Sequence, residues 1–475
     1  MRRHFSIVLF FCLPFICCSQ VSSDFYKIDN NFTLFKKEVD TLSDKLSFTP
    51  KFAYTTYMKQ ENILNDIFYL GFKLNYSISD KFKVNSEIIT LKGSFPVELY
   101  NYVDSLYIFP GYAEILNTGY DYTFRLNYNI SKYFNFDIGR GKHFIGSGYR
   151  SLLISNESTA YPYALLTTNI WKFRYYNLYA SLSDIQDPNR IKKKYSTTHY
   201  FEYSPTDYLS FGLFESVIWQ AQDSIYNRGY DIEYLNPIIF YRPVEFSKKS
   251  PDNVLIGATI QLKYKSNYLY GQLILDDLNI ALKKNNTTGD PSSGGFFQDK
   301  YAYQVGLKSE KLLNNQNLAV LIEFNQVQPF TYGHKSPEQN YTHYNQALAH
   351  PIGANFREFI FISKYIYHNW KLLFKYTNAF YGTDTLNTHY GQNIFLSDYL
   401  AEGGIHSYGN FNGQGIKTHL QNIYIDIGYN FKDLNNLEIH MGCALRKKKS
   451  HILNQDNLYF FAGLRTFFYN PFQDF

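Results

Sequence analysis

Two short glycine-rich stretches hold the residue types that a hydrolase would use. Gly139, Arg140 and Gly141 form one, and Gly146, Ser147 and Gly148 form the other; His143 lies between them and Asp137 just before. A serine, a histidine and an acid can form a catalytic triad. Neither stretch opens a helix after a strand, so neither is a phosphate-binding loop. With 12 histidines in the chain, chance neighbours are expected, and we predict no enzyme, no catalytic residue, no metal site and no cofactor.

Ligand binding is the stronger candidate chemistry. Residues 234–245, in a connector at 219–254, are too apolar for a solvated loop and must bury themselves. If the fold is a barrel, we expect this segment to fold back over or into its mouth. Tyr and Trp rings stack on sugars, whereas Arg, Asn and Asp bind hydroxyls or carboxylates. The candidate ligand-binding residues, here and in a connector at 142–163, are Tyr149, Arg150, Trp219, Asn236, Tyr241, Arg242, Glu245 and Asp252. The structural alternative is that Arg242 and Glu245 pair with internal charges and hold the connector.

Basic residues cluster in long connectors as well. The clusters are Arg190 with 192–194, 248–249, 283–284, and Arg446 with 447–449. If these connectors face outward, they form a positive rim that could hold acidic polysaccharide or the phosphates of lipopolysaccharide. Lipopolysaccharide is the simpler of these two interpretations. The net charge of the whole chain is only +5, which does not indicate a nucleic-acid partner.

The elements that position these residues are β-strands. The chain of 475 residues contains 46 Tyr, 42 Phe and 3 Trp, and this aromatic content excludes a disordered protein. In 122–130, apolar and aromatic residues alternate with Thr, Arg and Asn, and similar alternation recurs at 134–138, 256–264, 370–377 and 422–429. Period-two alternation over 8–12 residues is typical of strands with one apolar face. No stretch after the first 20 residues is apolar enough for a membrane-spanning helix.

Connector lengths distinguish a membrane barrel from a soluble sandwich. Short turns are predicted near 79–80, 131–132, 176–177, 204–208, 265–267, 368–369 and 431–435. Long polar connectors are predicted near 93–118, 142–163, 185–195, 219–254, 280–300, 328–355, 381–418 and 447–456. Short and long connectors largely alternate, as in outer-membrane barrels with periplasmic turns and long outer loops. The count is about 18 strands, from 51–58 to 457–468, with 16 as the alternative.

The N-terminal residues indicate export. Arg2 and Arg3 precede an apolar run at 5–16 and a small-residue cleavage site, so 1–19 is predicted to be a signal peptide, with a lipoprotein cysteine at 17 or 18 as the alternative. Only Cys443 remains after cleavage, which excludes an intrachain disulfide. Apolar residues spaced by three or four from Phe32 to Leu46 predict an amphipathic helix within a periplasmic segment at 20–50. This helix could dock at the barrel mouth, enter the lumen, or act as a linker.

Several motifs resemble a known family. They are 139–155 (GRGKHFIGSGYRSLLIS), 234–245 (YLNPIIFYRPVE), 250–253 (SPDN) and 270–276 (YGQLILD). These resemble outer-membrane proteins related to the capsule assembly protein Wzi, in the Bacteroidota branch that includes the gliding-motility protein RemB. The resemblance implies an 18-stranded barrel with a helical element near its N-terminus. It also implies a lectin-like role without catalysis, in holding capsular polysaccharide or in surface motility.

We therefore expect an all-β, transmembrane, antiparallel outer-membrane β-barrel at 51–475 with long extracellular loops. Its expected function is to bind or anchor extracellular or capsular polysaccharide, in capsule assembly or gliding motility; the alternative is a porin or solute channel. The expected partners are outer-membrane lipid and lipopolysaccharide, surface polysaccharide and the outer-membrane assembly machinery, which the aromatic last strand ending in Phe475 would engage.

Overall fold

A closed antiparallel barrel of 18 strands dominates this computed structural model, as the alternation predicts. The structure describes residues 45–59, 64–93, 118–187, 190–222, 227–237, 252–277, 295–385, 388–401, 407–431, 434 and 436–467. Each barrel strand pairs with the barrel strands before and after it in the chain, and the first and last barrel strands also pair, which closes the barrel. Among the described residues, no helix is long and apolar enough to cross a bilayer.

The described residues form twenty strands in chain order, of which β14 and β15 form a small hairpin inside a loop. They are β1 (Leu46–Lys59), β2 (Leu64–Ser77), β3 (Phe82–Gly93), β4 (Thr118–Asn129), β5 (Phe134–Gly141), β6 (Tyr161–Ile170), β7 (Phe173–Asp184), β8 (Lys192–Thr206), β9 (Leu209–Gln220), β10 (Asn253–Tyr264), β11 (Asn267–Asp277), β12 (Lys300–Ser309), β13 (Leu318–Val327), β14 (Thr342–His343), β15 (Gln346–Ala347), β16 (Phe356–Tyr367), β17 (Trp370–Thr383), β18 (Ile416–Phe431), β19 (Leu437–Lys449) and β20 (Asn454–Arg465). Short 3-10 turns occur at Ile232–Leu235, Leu312–Asn314, Pro337–Gln339 and Asp398–Ala401.

The two faces of the barrel wall differ in polarity. The outward face is apolar and solvent-accessible, with residues such as Phe72, Leu213, Leu262, Leu273 and Phe460. The inward face carries buried polar residues such as Asn127, Gln272, Gln304, Glu323 and Asn325. This arrangement suits a wall between lipid and a shielded lumen, because lipid offers no hydrogen-bond partners. The chain is therefore an outer-membrane β-barrel.

The two ends of the barrel differ in connector length. One end has the short turns 78–81, 130–133, 171–172, 207–208, 265–266, 310–317, 368–369 and 432–436. The other end has the long connectors 94–117, 142–160, 221–252, 278–299, 328–355 and 384–415, together with the shorter 60–63, 185–191 and 450–453. Exposed Trp171, Tyr208, Tyr264, Tyr367 and Trp370 form a belt near the short-turn end, as interfacial girdles do. We name the two ends periplasmic and extracellular accordingly.

One predicted turn is wrong. Tyr176 and Asn177 lie within β7, and the turn is at 171–172, where Trp171 adopts φ 53°. Large apolar residues are unusual in turns, and the sequence pattern therefore favoured a later position. Trp171 is 68% exposed at the membrane interface, where an amphipathic ring is stable.

Two other boundaries differ from the sequence-based expectation. Strand β1 begins at Leu46, which the helical spacing had included in the N-terminal helix; the rest of that helix and the signal peptide lie outside the described residues. Strand β19 extends to Lys449, so Arg446 and 447–449 belong to a strand instead of a long connector. Long basic side chains are compatible with a strand end because their charged groups can reach water.

If the outward face contacts lipid, the loss of stability caused by an introduced charge should depend on its depth in the bilayer. Leu273 is exposed near the middle of β11, whereas Tyr264 ends β10 at the interfacial belt. We expect Leu273→Arg to lower the free energy of unfolding in lipid vesicles by about 2–4 kcal/mol, and Tyr264→Arg by about 0–1 kcal/mol. Urea unfolding followed by heat-modifiable gel migration measures both; equal losses would contradict the membrane-spanning wall.

Candidate functional site

The β5–β6 connector, residues 142–160, enters the barrel, and we call it the inner loop. Ser147 Oγ donates a hydrogen bond of 2.5 Å to Gln261 Oε1 on β10. Lys375 Nζ on β17 donates one of 3.2 Å to the hydroxyl of Tyr149. Strand β17 lies across the 18-stranded barrel from β5 and β6, so the inner loop crosses the full width of the lumen.

Glu323 on β13 anchors the tip of the inner loop. Its side chain is completely buried. One carboxylate oxygen accepts hydrogen bonds from the backbone N–H of Tyr149 (2.7 Å) and the hydroxyl of Tyr270 (2.8 Å). The other accepts from the backbone N–H of Arg150 and from Asn325 Nδ2, each at 3.0 Å. A Cβ at Gly148 would lie 2.2 Å from Glu323 Oε2, so glycine is required for this close approach.

A second connector, 328–355, packs over the inner loop, and we call it the capping loop. The hydroxyl of Tyr332 donates to the carbonyl of Leu152 (2.8 Å), and the N–H of Ser155 donates to the carbonyl of Leu348 (2.8 Å). A single buried apolar cluster joins the two loops to the barrel wall; it includes Leu152, Leu153, Ile154, Leu348, Ile352, Leu178 and Leu255. The two loops therefore form a plug that shares a buried core with the barrel wall at the extracellular side of the lumen.

The three residues of the conceivable triad have separate partners. Asp137 is paired with Arg125, from Nε to Oδ1 at 2.7 Å and from Nη2 to Oδ2 at 3.0 Å. His143 Nδ1 lies 3.1 Å from the hydroxyl of Tyr161, and burial, with a smaller effect of Arg125, lowers the pKa of His143 to about 3. Ser147 donates to Gln261 as described above. The described contacts therefore place these groups in structural networks.

Two of the predicted ligand-binding residues, Tyr149 and Arg150, lie in the plug. Arg150 is 2% exposed and lies 3.0 Å from Glu157 and 3.6 Å from Glu358. Glu358 also lies 2.7 Å from His350 Nε2 in the capping loop. The guanidinium thus connects the inner loop, the capping loop and β16. Tyr241, Arg242 and Glu245 lie outside the described residues.

The other three predicted residues, Trp219, Asn236 and Asp252, lie on the outside of the barrel wall. Residues 227–237, which we call the strap, lie against outward-facing residues of β7–β9. The hydroxyls of Tyr175 and Tyr179 on β7 donate to the carbonyls of Pro237 (2.6 Å) and Leu235 (3.1 Å). We expected this connector to fold over or into the barrel mouth, and its described part does neither.

Aromatic packing and one carboxylate hold the strap. The buried ring of Trp219 lies 4.7 Å from that of Tyr234 and 5.1 Å from that of Tyr230. Asp252 accepts a hydrogen bond from the hydroxyl of Tyr234 (2.7 Å) and two from Arg228 (2.8 and 3.0 Å). Asn236 is exposed on the strap. The role of these residues in ligand binding stays a prediction.

The basic clusters contribute less to an outer rim than expected. Lys194 faces inward on β8 and is buried, with Nζ donating to the carbonyl of Asn340 (3.0 Å) and the hydroxyl of Thr342 (2.7 Å). Lys192 pairs with Glu338 at 2.7 Å. Arg190 donates to Gln222 (3.0 Å) at the extracellular end. The clusters at 248–249 and 283–284 lie outside the described residues.

The extracellular end displays aromatic residues that sequence analysis missed. Phe411 is 57% exposed and Tyr399 is 40% exposed, with Lys335 Nζ 4.5 Å from the Tyr399 ring centre. Phe296 and Tyr408 lie near one another, with ring centres 5.1 Å apart. We call these five residues the aromatic cap. Only their position in extracellular connectors distinguishes them from the many other aromatic residues of the chain.

Buried polar contacts fix the cap to the barrel. Lys300 Nζ on β12 lies 2.6 Å from Asp398 Oδ2, next to Tyr399, and 2.8 Å from the carbonyl of Gly333. The side chain of Asn410 donates to the carbonyl of Gly295 (2.9 Å), which joins the loops that carry Phe411 and Phe296. The cap is thus presented by anchored loops.

Comparisons with solved structures identify the fold. The chain is similar to Wzi of Escherichia coli, described as an outer membrane protein involved in group 1 capsule assembly and a carbohydrate-binding β-barrel. The TM-score is 0.52 at 11% identity, over 90% of this chain and 85% of Wzi. Two Pseudomonas aeruginosa proteins also match: OccK3 (TM-score 0.45, 11% identity, 88% of this chain and 94% of OccK3) and the outer membrane protein OprD (0.46, 10%, 89% and 93%). No family model matches the sequence, and no curated protein matches it.

Because Glu323 anchors the inner loop, replacing its carboxylate should weaken the attachment of the plug to the wall. Glu323→Gln replaces a charged acceptor by an amide that can accept on only one atom, so buried N–H groups of the inner loop lose partners at about 1–3 kcal/mol each. We expect the variant to show more frequent conductance bursts in planar bilayers than the parent. Glu310→Gln, the same change in a periplasmic connector, is the control. Unchanged conductance of the Glu323 variant would contradict the anchoring role.

Asp384 predicts an acid-sensitive loop at the extracellular end. Burial alone would raise the pKa of Asp384, but His389 and the backbone N–H groups of Tyr390 and Asn393 outweigh it and lower the pKa below its usual value. The Asp384 carboxylate therefore stabilises the folded loop fully above the unfolded-state pKa of about 3.9. This stabilisation is lost as the pH falls through the lower folded-state pKa.

Hydrogen exchange measures this effect directly. Corrected for intrinsic rates, exchange at the Tyr390 and Asn393 amides should accelerate on acidification in the parent protein. In the Asp384→Asn variant, exchange at these two amides should be fast at neutral pH as well. The control Asp207→Asn, in a periplasmic turn, should exchange at the same rates as the parent. Acid-independent protection in the parent would contradict the prediction.

Proposed function

We propose that this chain is a non-enzymatic outer-membrane barrel that binds or anchors extracellular polysaccharide, in capsule assembly or gliding motility. The observation that carries the proposal is the combination of a plugged lumen with an anchored, exposed aromatic cap. The inner loop and the capping loop occupy the lumen at the end where solutes would enter. The chemistry available to an extracellular ligand is therefore at the surface of the cap.

The cap has the side chains that carbohydrate recognition uses. The exposed rings of Phe411 and Tyr399 can stack on the C–H faces of sugars, and the ring of Tyr399 adjoins the ammonium group of Lys335. The ammonium group supplies a donor for hydroxyls or for the carboxylates of an acidic polysaccharide. Long polymers can bind at an exposed surface through several weak contacts, because repeated units raise the effective concentration.

Family relationships support the same proposal. The motifs at 139–155 and 234–245 resemble Wzi-like proteins of the Bacteroidota gliding branch, and Wzi is described as a carbohydrate-binding barrel involved in capsule assembly. At 11% identity this likeness supports the fold alone, and the proposal for the specific role relies on the cap and the plug. Lipopolysaccharide and the outer-membrane assembly machinery are the further partners that we propose for a barrel of this type.

The channel alternative predicts a different property. A porin needs a continuous water-filled path, whereas here Tyr149 of the inner loop contacts Lys375 on the far wall. We expect the purified protein to show little steady conductance in planar bilayers. Large, stable single-channel steps would favour the channel and would count against the polysaccharide proposal.

Aromatic truncation in the cap tests the proposal in cells. In a strain lacking the gene, we expect Phe411→Ala with Tyr399→Ala to retain much less surface polysaccharide than the parent gene. The purified variant should bind the isolated polysaccharide about thirty-fold more weakly, since the two stacked rings contribute about 1 kcal/mol each. Trp171→Ala, which removes an exposed ring at the periplasmic end, is the matched control. Full retention by the cap variant at normal surface levels would overturn the proposal.

A further inference from the structure

The periplasmic side of the lumen contains a cleft that the plug leaves open. It has a volume of about 630 Å³ and lies inside the wall formed by β4–β7. The turns 78–81 and 130–133 form its rim, and His143 of the inner loop lies at its inner end. Volumes of this size accommodate small ligands. Because its rim consists of periplasmic turns, a ligand would enter from the periplasm, at the opposite end from the cap.

Cationic and amide groups dominate the lining of this cleft. Lys81 and Lys132 are exposed at the rim, and the guanidinium groups of Arg125 and Arg174 lie in the wall. Of the acidic groups nearby, Asp137 and Glu202 are already engaged or set back, and Asp80 is an exposed residue of the rim turn 78–81 that does not line the cleft. Asp137 is paired with Arg125 and also accepts from Asn127 Nδ2 at 2.7 Å. Glu202 is buried opposite Arg174 in the β7–β8 pairing.

Amide groups and rings accompany these charges. Asn135 accepts from Asn127 Nδ2 (2.7 Å) and donates to Asn129, and Asn169 accepts from Arg174 Nε at 3.0 Å. Tyr133 and Tyr176 also line the cleft. Positive charge favours an anion, whereas amides and aromatic rings beside it favour a hydroxylated ring. These groups occur together on the lumen wall, where the polymer at the extracellular cap has no access.

We propose that this cleft binds a carboxylate-bearing sugar from the periplasmic side. The lysines at the rim attract and hold the carboxylate, while the asparagines and arginines bind hydroxyl groups and the tyrosines contact the ring. The inference is independent of polysaccharide binding at the cap, since the two sites lie at opposite ends of the barrel and share none of the named residues.

Calorimetry on the detergent-solubilised full chain tests the inference. The probe is trigalacturonate, with neutral galactotriose and inorganic phosphate as comparison ligands. We expect trigalacturonate to bind, galactotriose and phosphate to bind at least ten-fold more weakly, and added salt to weaken the binding of trigalacturonate. Absence of trigalacturonate binding, or equal binding of either comparison ligand, would overturn the proposal.

Charge reversal at the rim locates the site. Lys81→Glu with Lys132→Glu should weaken trigalacturonate binding at least ten-fold, while heat-modifiable migration shows that the barrel still folds. Lys265→Glu, in a periplasmic turn outside the cleft, should bind like the parent. Equal affinity of the rim variant and the parent would exclude this cleft as the site. Retention of surface polysaccharide by cells carrying the rim variant reports on the cap separately, so failure of one proposal leaves the other testable.

Discussion

The absence of hydrogen-bond partners in lipid is the constraint on which the rest of this structure depends. It requires every backbone N–H and C=O group within the bilayer to find a partner in the chain, and closure of the sheet between β1 and β20 provides this. It also separates side chains by polarity, since apolar residues can face lipid while polar residues must face inward. The lumen consequently contains many amide and charged side chains. These groups need partners of their own, and the inner loop supplies them through its backbone, as at Glu323.

On β7–β9, polar side chains occur on the outward face of the wall, where the rest of the barrel carries mostly apolar residues. Asn177, His199 and Glu215 are neighbours across the strand pairing and face outward, yet all three are buried. Charged residues on the lipid face destabilise a barrel, Arg and Lys by about 2–4 kcal/mol at the bilayer midplane and Asp and Glu by less. Thr197 lies on the same face of β8 as His199, two residues closer to the extracellular end. Its hydroxyl donates a hydrogen bond of 3.1 Å to the carbonyl of Tyr234 in the strap. The strap thus gives this part of the wall a protein neighbour in place of lipid.

Much of the barrel could be predicted from the sequence because its determinants are local. Alternation along 122–130 or 256–264 requires only neighbouring residues, and connector lengths need only the positions of strands. The plug could not be predicted in this way, because the N–H of Tyr149 meets Glu323 at a separation of 174 residues. The sequence showed only that Gly148 belongs to a glycine-rich stretch, whereas the structure shows that a carboxylate from a distant strand approaches it closely. The sequence named Trp219 and Asp252 as candidate ligand-binding residues, but a pattern along one chain does not show which side of a wall they contact.

The plug also determines how the two ends of the barrel can differ. A continuous pore would expose both ends to the same solutes, whereas a lumen crossed by the inner loop presents separate surfaces to the outside and to the periplasm. The extracellular surface is carried by loops that buried contacts such as Lys300 with Asp398 hold in place. The periplasmic surface is carried by the wall itself and by short turns, with the inner loop as its floor. Because Ser147 and Tyr149 hold the inner loop to two separate parts of the wall, on β10 and β17, a rearrangement of the inner loop would change both surfaces together, and the hydrogen bonds to Glu323 oppose such a rearrangement.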